Sequence, residues 1–202
     1  MAKFIAISGP SSTGKTTLVN SLSTYKELSK AVFSPDMYET VWSSLVEQGF
    51  FSEWKEINTD DEYLCLYVLR LIDYYENFIR SYENTDKLVI LDGCWVDIAI
   101  YSVLNLWYTR VIKEVQEEIL HRINTFDKHL SRIYFTNFDG SKQMKQKHRM
   151  QYRMANMKTN RPLEIQYYDL YKNFKNAVNL PSTDVSDASL FIINDLSKLG
   201  YL

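Results

Sequence analysis

Phe4-Ile-Ala-Ile7, then Ser8 and Gly9-Pro-Ser-Ser-Thr-Gly14-Lys15-Thr16-Thr17, is the stretch on which the fold turns. An unbroken apolar run of this length predicts a strand buried on both faces. The residues from Gly9 to Thr16 fit G-x-x-x-x-G-K-[ST], a loop that cradles phosphate oxygens. Its two glycines let the backbone turn N–H groups inward and approach an anion closely. Thr16 to Leu28 reads as a helix, whose N-terminus aims unpaired donors and the positive end of its dipole at the same anion. Gly9, Ser11, Ser12, Thr13, Gly14, Lys15, Thr16 and Thr17 are therefore the expected phosphate-binding residues. Lys15 is expected at the β- and γ-phosphates, with a catalytic role, and the Thr16 hydroxyl in the shell of a Mg²⁺ ion.

Further along the chain, strands alternate with helices. Ala31-Val-Phe33 is a short strand ended by Pro35, and Asp36 to Gln48 a helix stopped by Gly49. Asp60 to Tyr82 is the longest helical stretch, with Tyr63, Leu66, Tyr67, Leu69, Arg70, Tyr74 and Phe78 near helical spacing. Leu88-Val-Ile-Leu91 is a strand ending at Asp92, and Arg132 to Thr136 a fourth strand. Val96 to Leu106, Thr109 to Asn124 and Leu163 to Phe174 read as helices. Ala177 to Leu180 is a last strand, and Asp184 to Leu199 a helix closed by Gly200. This order predicts an α/β fold of three layers, a mostly parallel sheet with helices on both faces.

The chain of 202 residues, 46% of them hydrophobic, fits one domain over 1–202 and excludes a disordered or repeat architecture. Charge is segregated. Between Asp139 and Pro162 stand seven Lys/Arg and one carboxylate, which leaves 16 basic against 24 acidic residues elsewhere. Positive residues without carboxylates repel each other unless they meet phosphates or water, so this segment is expected to form a basic helical lid. Arg149 and Arg153, four apart on one helix face, are its candidate catalytic residues and would clamp a transferring phosphoryl group. Cys65 and Cys94 lack disulfide or metal-ligand spacing, and no apolar run is fit to cross a membrane. A reducing, cytoplasmic setting is expected.

Three carboxylates stand at chemically useful places. Asp92 ends a buried strand and points into the crevice where parallel sheets bind ligands, so it is expected to hold the metal with Thr16. Asp36, just past the second strand, faces the same crevice and is expected to bind an acceptor or take its proton; it also suits a helix N-cap. Asp97, at the start of a helix, is a further candidate for substrate binding. His121, His129 and His148 are scattered and form no ligand set.

These residues resemble the nucleoside and nucleotide kinase branch of P-loop proteins. Ile7 to Leu18 is similar to the opening of the kinase domain of the NadR type, in which the third strand commonly continues as Asp-Arg-Gly-x-x-Asp-x-x-x-Tyr. Asp92-Gly-Cys-Trp-Val-Asp97-Ile-Ala-Ile-Tyr101 matches it at both aspartates and the tyrosine. Pro35-Asp36 stands where that group tends to have Pro-Glu, and Asn179-Leu-Pro181 resembles its strand-to-loop transition. Leu66-Tyr-Val-Leu-Arg70 resembles the helix of thymidylate kinases whose arginine contacts the acceptor nucleotide, which implies substrate binding by Arg70. Both groups usually carry Arg directly after the strand-three aspartate, where this chain has Gly93. Arg70, a lid arginine or a bulkier acceptor would compensate.

The resemblance implies an ATP- and Mg²⁺-dependent phosphotransferase acting on a nucleoside or nucleoside monophosphate, with a small molecule as partner. Two other readings stay open: an NTPase switch within a partner complex, and a kinase acting on a nucleic-acid end or base through the basic segment. The acidic balance elsewhere disfavours nucleic acid. A homo-oligomer is compatible with all three.

Overall fold

The computed structural model describes residues 1–9, 13–53, 60–98, 113–136, 174, 176–182 and 184–202. Ser11, Ser12, the basic segment with Arg149 and Arg153, the helix expected over Leu163–Phe174 save its last residue, and most of that over Val96–Leu106 lie outside them.

Five strands form one parallel sheet: β1 (Lys3–Ser8), β2 (Val32–Phe33), β3 (Leu88–Asp92), β4 (Leu130–Phe135) and β5 (Ala177–Asn179), in the order β2-β3-β1-β4-β5. β1 lies at the centre, with Ile7 beside Asp92 of β3 and Tyr134 of β4. Alternate residues of β1 divide the core. Phe4 and Ala6 face one apolar cluster, with residues of α2 (Met37–Glu47) and α3 (Asp61–Tyr82). Ile5 and Ile7 face the other, built with α1 (Lys15–Leu22) and α5 (Val185–Lys198). A further helix, α4 (Lys113–Asp127), docks on α3 through Arg122, which bonds Asp73 at 2.9 Å and also pairs with Glu76. The chain is thus an α/β protein of three layers. Among the described residues no helix is long and apolar enough to cross a membrane.

Local chemistry sets the helix ends. α2, α3 and α5 each begin at an aspartate, Asp36, Asp60 and Asp184, whose side chain accepts from two backbone N–H groups of the first turn. Each such cap contributes about 1 kcal/mol. Gly49 and Gly200, at positive φ, turn the chain out of α2 and α5.

Two expectations need correction. The first helix stops at Leu22 rather than Leu28, because the Ser23 and Thr24 hydroxyls bond back to the carbonyls of Asn20 and Ser21, and Tyr25 is extended. The buried face of α3 is Leu64, Tyr67, Val68, Leu71, Ile72, Tyr75 and Ile79, so of the stripe read from the sequence only Tyr67 lies in it. α3 is apolar on most of its circumference. The sheet takes one side, while Tyr63, Leu66, Leu69, Tyr74 and Phe78 are only partly covered.

Candidate active site

The expected phosphate loop leaves β1 at Ser8 and enters α1 at Gly14. Gly14, the N-cap of α1, is left-handed (φ +90°) and supplies no side-chain cap, in contrast to the three Asp-capped helices. Its first-turn amides are therefore not taken up by a carboxylate at the N-cap, the arrangement that suits an anion. Lys15 Nζ donates to the Gly9 carbonyl at 3.0 Å, holding the ammonium against the loop. Thr16 and Thr17 are exposed at the mouth.

Gly9 cannot be another residue. Its φ is +146°, and a Cβ there would stand 2.1 Å from Thr136 Oγ1. Thr136, just past β4, also meets Thr13 Oγ1 at 2.6 Å and donates to the Ser8 carbonyl at 3.2 Å. The sequence reading missed this residue. Its signal was a polar residue closing a buried strand, the same pattern that singled out Asp92. Gly9→Ala is expected to destabilise the fold by about 2 kcal/mol or more, through overpacking and backbone strain. Adding Thr136→Ala should recover part of that loss, because the clashing oxygen is gone. Denaturant melts of the single and double variants give the answer, and no recovery would mean that the contact is not the cause.

At the same edge of the sheet, Asp92 is 3% exposed and receives a hydrogen bond from the Thr16 side chain. Its backbone N–H donates to Ser34 Oγ at 2.9 Å, which ties β3 to the end of β2. Burial pushes the Asp92 carboxyl up to about 6; Asp36 and Asp97 push the same way, and the Thr16 hydroxyl and Lys15 oppose them. An unfolded Asp titrates near 3.9, so the native chain holds this proton more tightly and loses stability as pH rises from about 4 to 6, by about 3 kcal/mol at full expression. Asp92→Asn removes that loss. The variant should melt above the wild type at pH 7 and approach it near pH 4; equal melting across the range would show an Asp92 without strain.

Asp36 caps α2 through one oxygen: Oδ1 accepts from Tyr38 N at 3.0 Å and Glu39 N at 3.2 Å. Its influence on Asp92 and on Tyr75 of α3 puts it on the crevice side. Asp97 is fully buried and spans two elements: Oδ1 accepts from the Ser8 hydroxyl, and Oδ2 from Cys94 N at 3.0 Å, the reciprocal bond of a capping box around helical residues 95–98. Arg70 stands apart from this group. It is half exposed, 3.8 Å from Asp73, and lines a cleft of about 310 Å³ with Thr40 and Ser44 of α2 and Gln48 at its C-cap. A second hollow of about 240 Å³ lies between α1 and α5, bordered by Thr13, Gly14, Thr17, Leu180 and Asp184. Lys15, Thr16, Asp36, Asp92 and Asp97 thus converge, and Arg70 does not join them.

A family model described as AAA domain matches residues 4–173. The chain belongs to the AAA domain family. Solved structures similar to this AAA domain include deoxyadenosine kinase from M. mycoides, 16% identical over 96% of this chain and 99% of that one, with a TM-score of 0.61. Thymidylate kinase from Ehrlichia chaffeensis is 14% identical over 96% and 98% of the two chains, with a TM-score of 0.60. A NadR protein in complex with NR is 20% identical over 98% of this chain but 50% of its own, with a TM-score of 0.54. At these identities the likeness is one of fold: the AAA domain here has the fold of P-loop nucleotide kinases. No curated protein matches its sequence.

Proposed function

We propose that the chain transfers the γ-phosphoryl group of ATP to a nucleoside or nucleoside monophosphate. The observation that carries this reading is the convergence of Lys15, Thr16 and Asp92 on the uncapped start of α1, with Asp36 across the crevice. Lys15 and the loop, Ser11 and Ser12 included, bind the phosphates. The Thr16 hydroxyl and Asp92 offer oxygen donors alone, which fits a hard cation; they would hold Mg²⁺, whose charge offsets that of the phosphates. The hollow between α1 and α5, beside the loop, suits the donor base.

Asp36 orients the acceptor and, where that is a nucleoside, takes its hydroxyl proton as the oxygen attacks the γ-phosphorus, whereas a monophosphate attacks through an already ionised phosphate oxygen. In either case the bond to the β,γ-bridging oxygen breaks and ADP leaves. Arg149 and Arg153, from a lid near 139–162 in a single domain over 1–202, stabilise the charge in flight. Asp97, bonded to Ser8 and Cys94, holds the acceptor side of the crevice in shape. Arg70 binds the distal part of an acceptor that reaches the cleft between α2 and α3. A cytoplasmic setting supplies both ATP and Mg²⁺. ADP release measured across nucleosides and monophosphates tests the reading: at least one small acceptor should accelerate it. ATP hydrolysis that none accelerates would favour the switch, and steeply salt-sensitive binding of DNA or RNA the nucleic-acid kinase.

A further inference from the structure

The turn after β3 forms the acceptor side of the crevice, and its composition bears on what the acceptor is. Gly93 there has φ +78°, and its backbone N–H donates to the Ile7 carbonyl at 2.9 Å, which fixes the turn against the end of β1. A Cβ on residue 93 would meet Asp97 Oδ2 at 3.2 Å, Tyr38 Cε2 at 3.4 Å and Tyr75 Oη at 3.5 Å. Backbone, one carboxylate and two phenol rings therefore surround this point, with no room for a long side chain.

Tyr75 adds an independent observation. It comes from α3, is fully buried, and its hydroxyl has no hydrogen-bond partner among the described residues. An unpaired buried hydroxyl weakens a fold, and one kept beside a reaction site calls for a partner supplied from outside. Its ring is held edge-on against Trp95, so the hydroxyl cannot swing away to find another group.

The charges that act on the Tyr75 hydroxyl share one sign. Burial, then Cys94, Asp97, Asp36 and Asp92 all oppose ionisation of the Tyr75 hydroxyl; Asp36 and Asp97 likewise oppose that of Asp92, which the Thr16 hydroxyl and Lys15 favour. Among the described cations, Lys15 is bonded back to the phosphate loop and Arg70 stands beside Asp73 in another cleft. A monophosphate brought to this wall would set its negative oxygens against three carboxylates in a poorly solvated site, where such repulsion is strong. Uncharged hydroxyl, amino and carbonyl groups meet a better-suited surface: Asp36 Oδ2, which carries neither capping bond, and the Tyr75 hydroxyl.

We infer that the acceptor is a nucleoside without a phosphate, read by Asp36 and the buried Tyr75 hydroxyl across the Gly93 turn. The inference rests on the kinase reading above and narrows it to one class of acceptor.

The test pairs each common ribo- and deoxynucleoside with its own 5′-monophosphate at saturating MgATP, reading kcat/KM from ADP release by the wild-type chain. The best nucleoside should exceed its monophosphate by tenfold or more; a smaller ratio, or a preferred monophosphate, overturns the inference while leaving the kinase reading intact. If no acceptor of either kind accelerates ADP release, the kinase reading fails and takes the inference with it. Tyr75→Phe gives a second readout. It should raise the KM for the best nucleoside about tenfold, a loss fitting one hydrogen bond to an uncharged group, with the KM for ATP unchanged and the melting temperature not lowered. An unchanged nucleoside KM overturns the role of the hydroxyl.

Discussion

Asp36→Asn is expected to lower acceptor-dependent ADP release by roughly 10²–10⁴-fold, the range of a general base removed from its reaction. The structure makes this substitution a clean one. Both capping bonds of α2 fall on Oδ1, and an Asn side-chain oxygen accepts from Tyr38 and Glu39 in the same way. Stability should therefore change by only a few tenths of a kcal/mol. The amide cannot take a proton, so the loss falls on transfer. ATP affinity, which the proposal assigns to the loop from Gly9 to Thr16, should stay within a few-fold by calorimetry. Unchanged transfer would reduce Asp36 to a helix cap. A parallel collapse of ATP affinity would move it to the donor side of the crevice.

Lys15→Ala is expected to cost about 10²-fold or more in turnover, or about 2.7 kcal/mol of barrier, with the fold intact. Lys15 is the first residue of α1 and its ammonium meets the Gly9 carbonyl, so it reaches back along the loop that it follows. Removing it deletes a cation held against the loop, where the proposal places the phosphates. No buried apolar contact is lost, since the core residues of α1 are Leu18, Val19 and Leu22. The melting curve should therefore stay close to wild type while ADP release falls, and near-normal turnover by a folded variant would contradict the role given to Lys15.

Where the determining chemistry is local, the sequence was readable. An apolar run, two glycines and Lys15-Thr16 announce β1, the loop and α1; Asp36 and Gly49 bracket α2, and Asp60 and Asp184 open α3 and α5. Asp92 and Asp36 were legible as crevice residues because each follows a short apolar strand in an alternating α/β order. What stayed hidden depends on contacts between distant segments. The buried face of α3 is chosen by the sheet it meets, and a helix with apolar residues on most sides carries no record of that choice. Thr136 acquires meaning only when β4 lies beside β1 and its hydroxyl reaches Thr13. Tyr75 looks like any core tyrosine until Gly93 is seen opposite its hydroxyl. Asp97 read as a candidate for substrate binding at the start of a helix; its two oxygens are engaged by Ser8 and Cys94, partners that the fold brings to it.

The position of β1 between β3 and β4 has a consequence for how the molecule is made. Lys3 pairs with Leu88 and Ile5 with Arg132, so a strand that leaves the ribosome before both neighbours waits for them. Until Leu88–Asp92 has emerged, β1 exposes apolar residues and unpaired backbone, and until Leu130–Phe135 has followed, Thr136 cannot close on Gly9. Contacts of such long range form slowly and leave the growing chain exposed to aggregation. The segment that carries the plainest signal in the sequence is thus among the last to reach working shape. On the proposed function, nucleotide bound to the finished loop and not to the unfolded chain would stabilise only molecules that have completed folding.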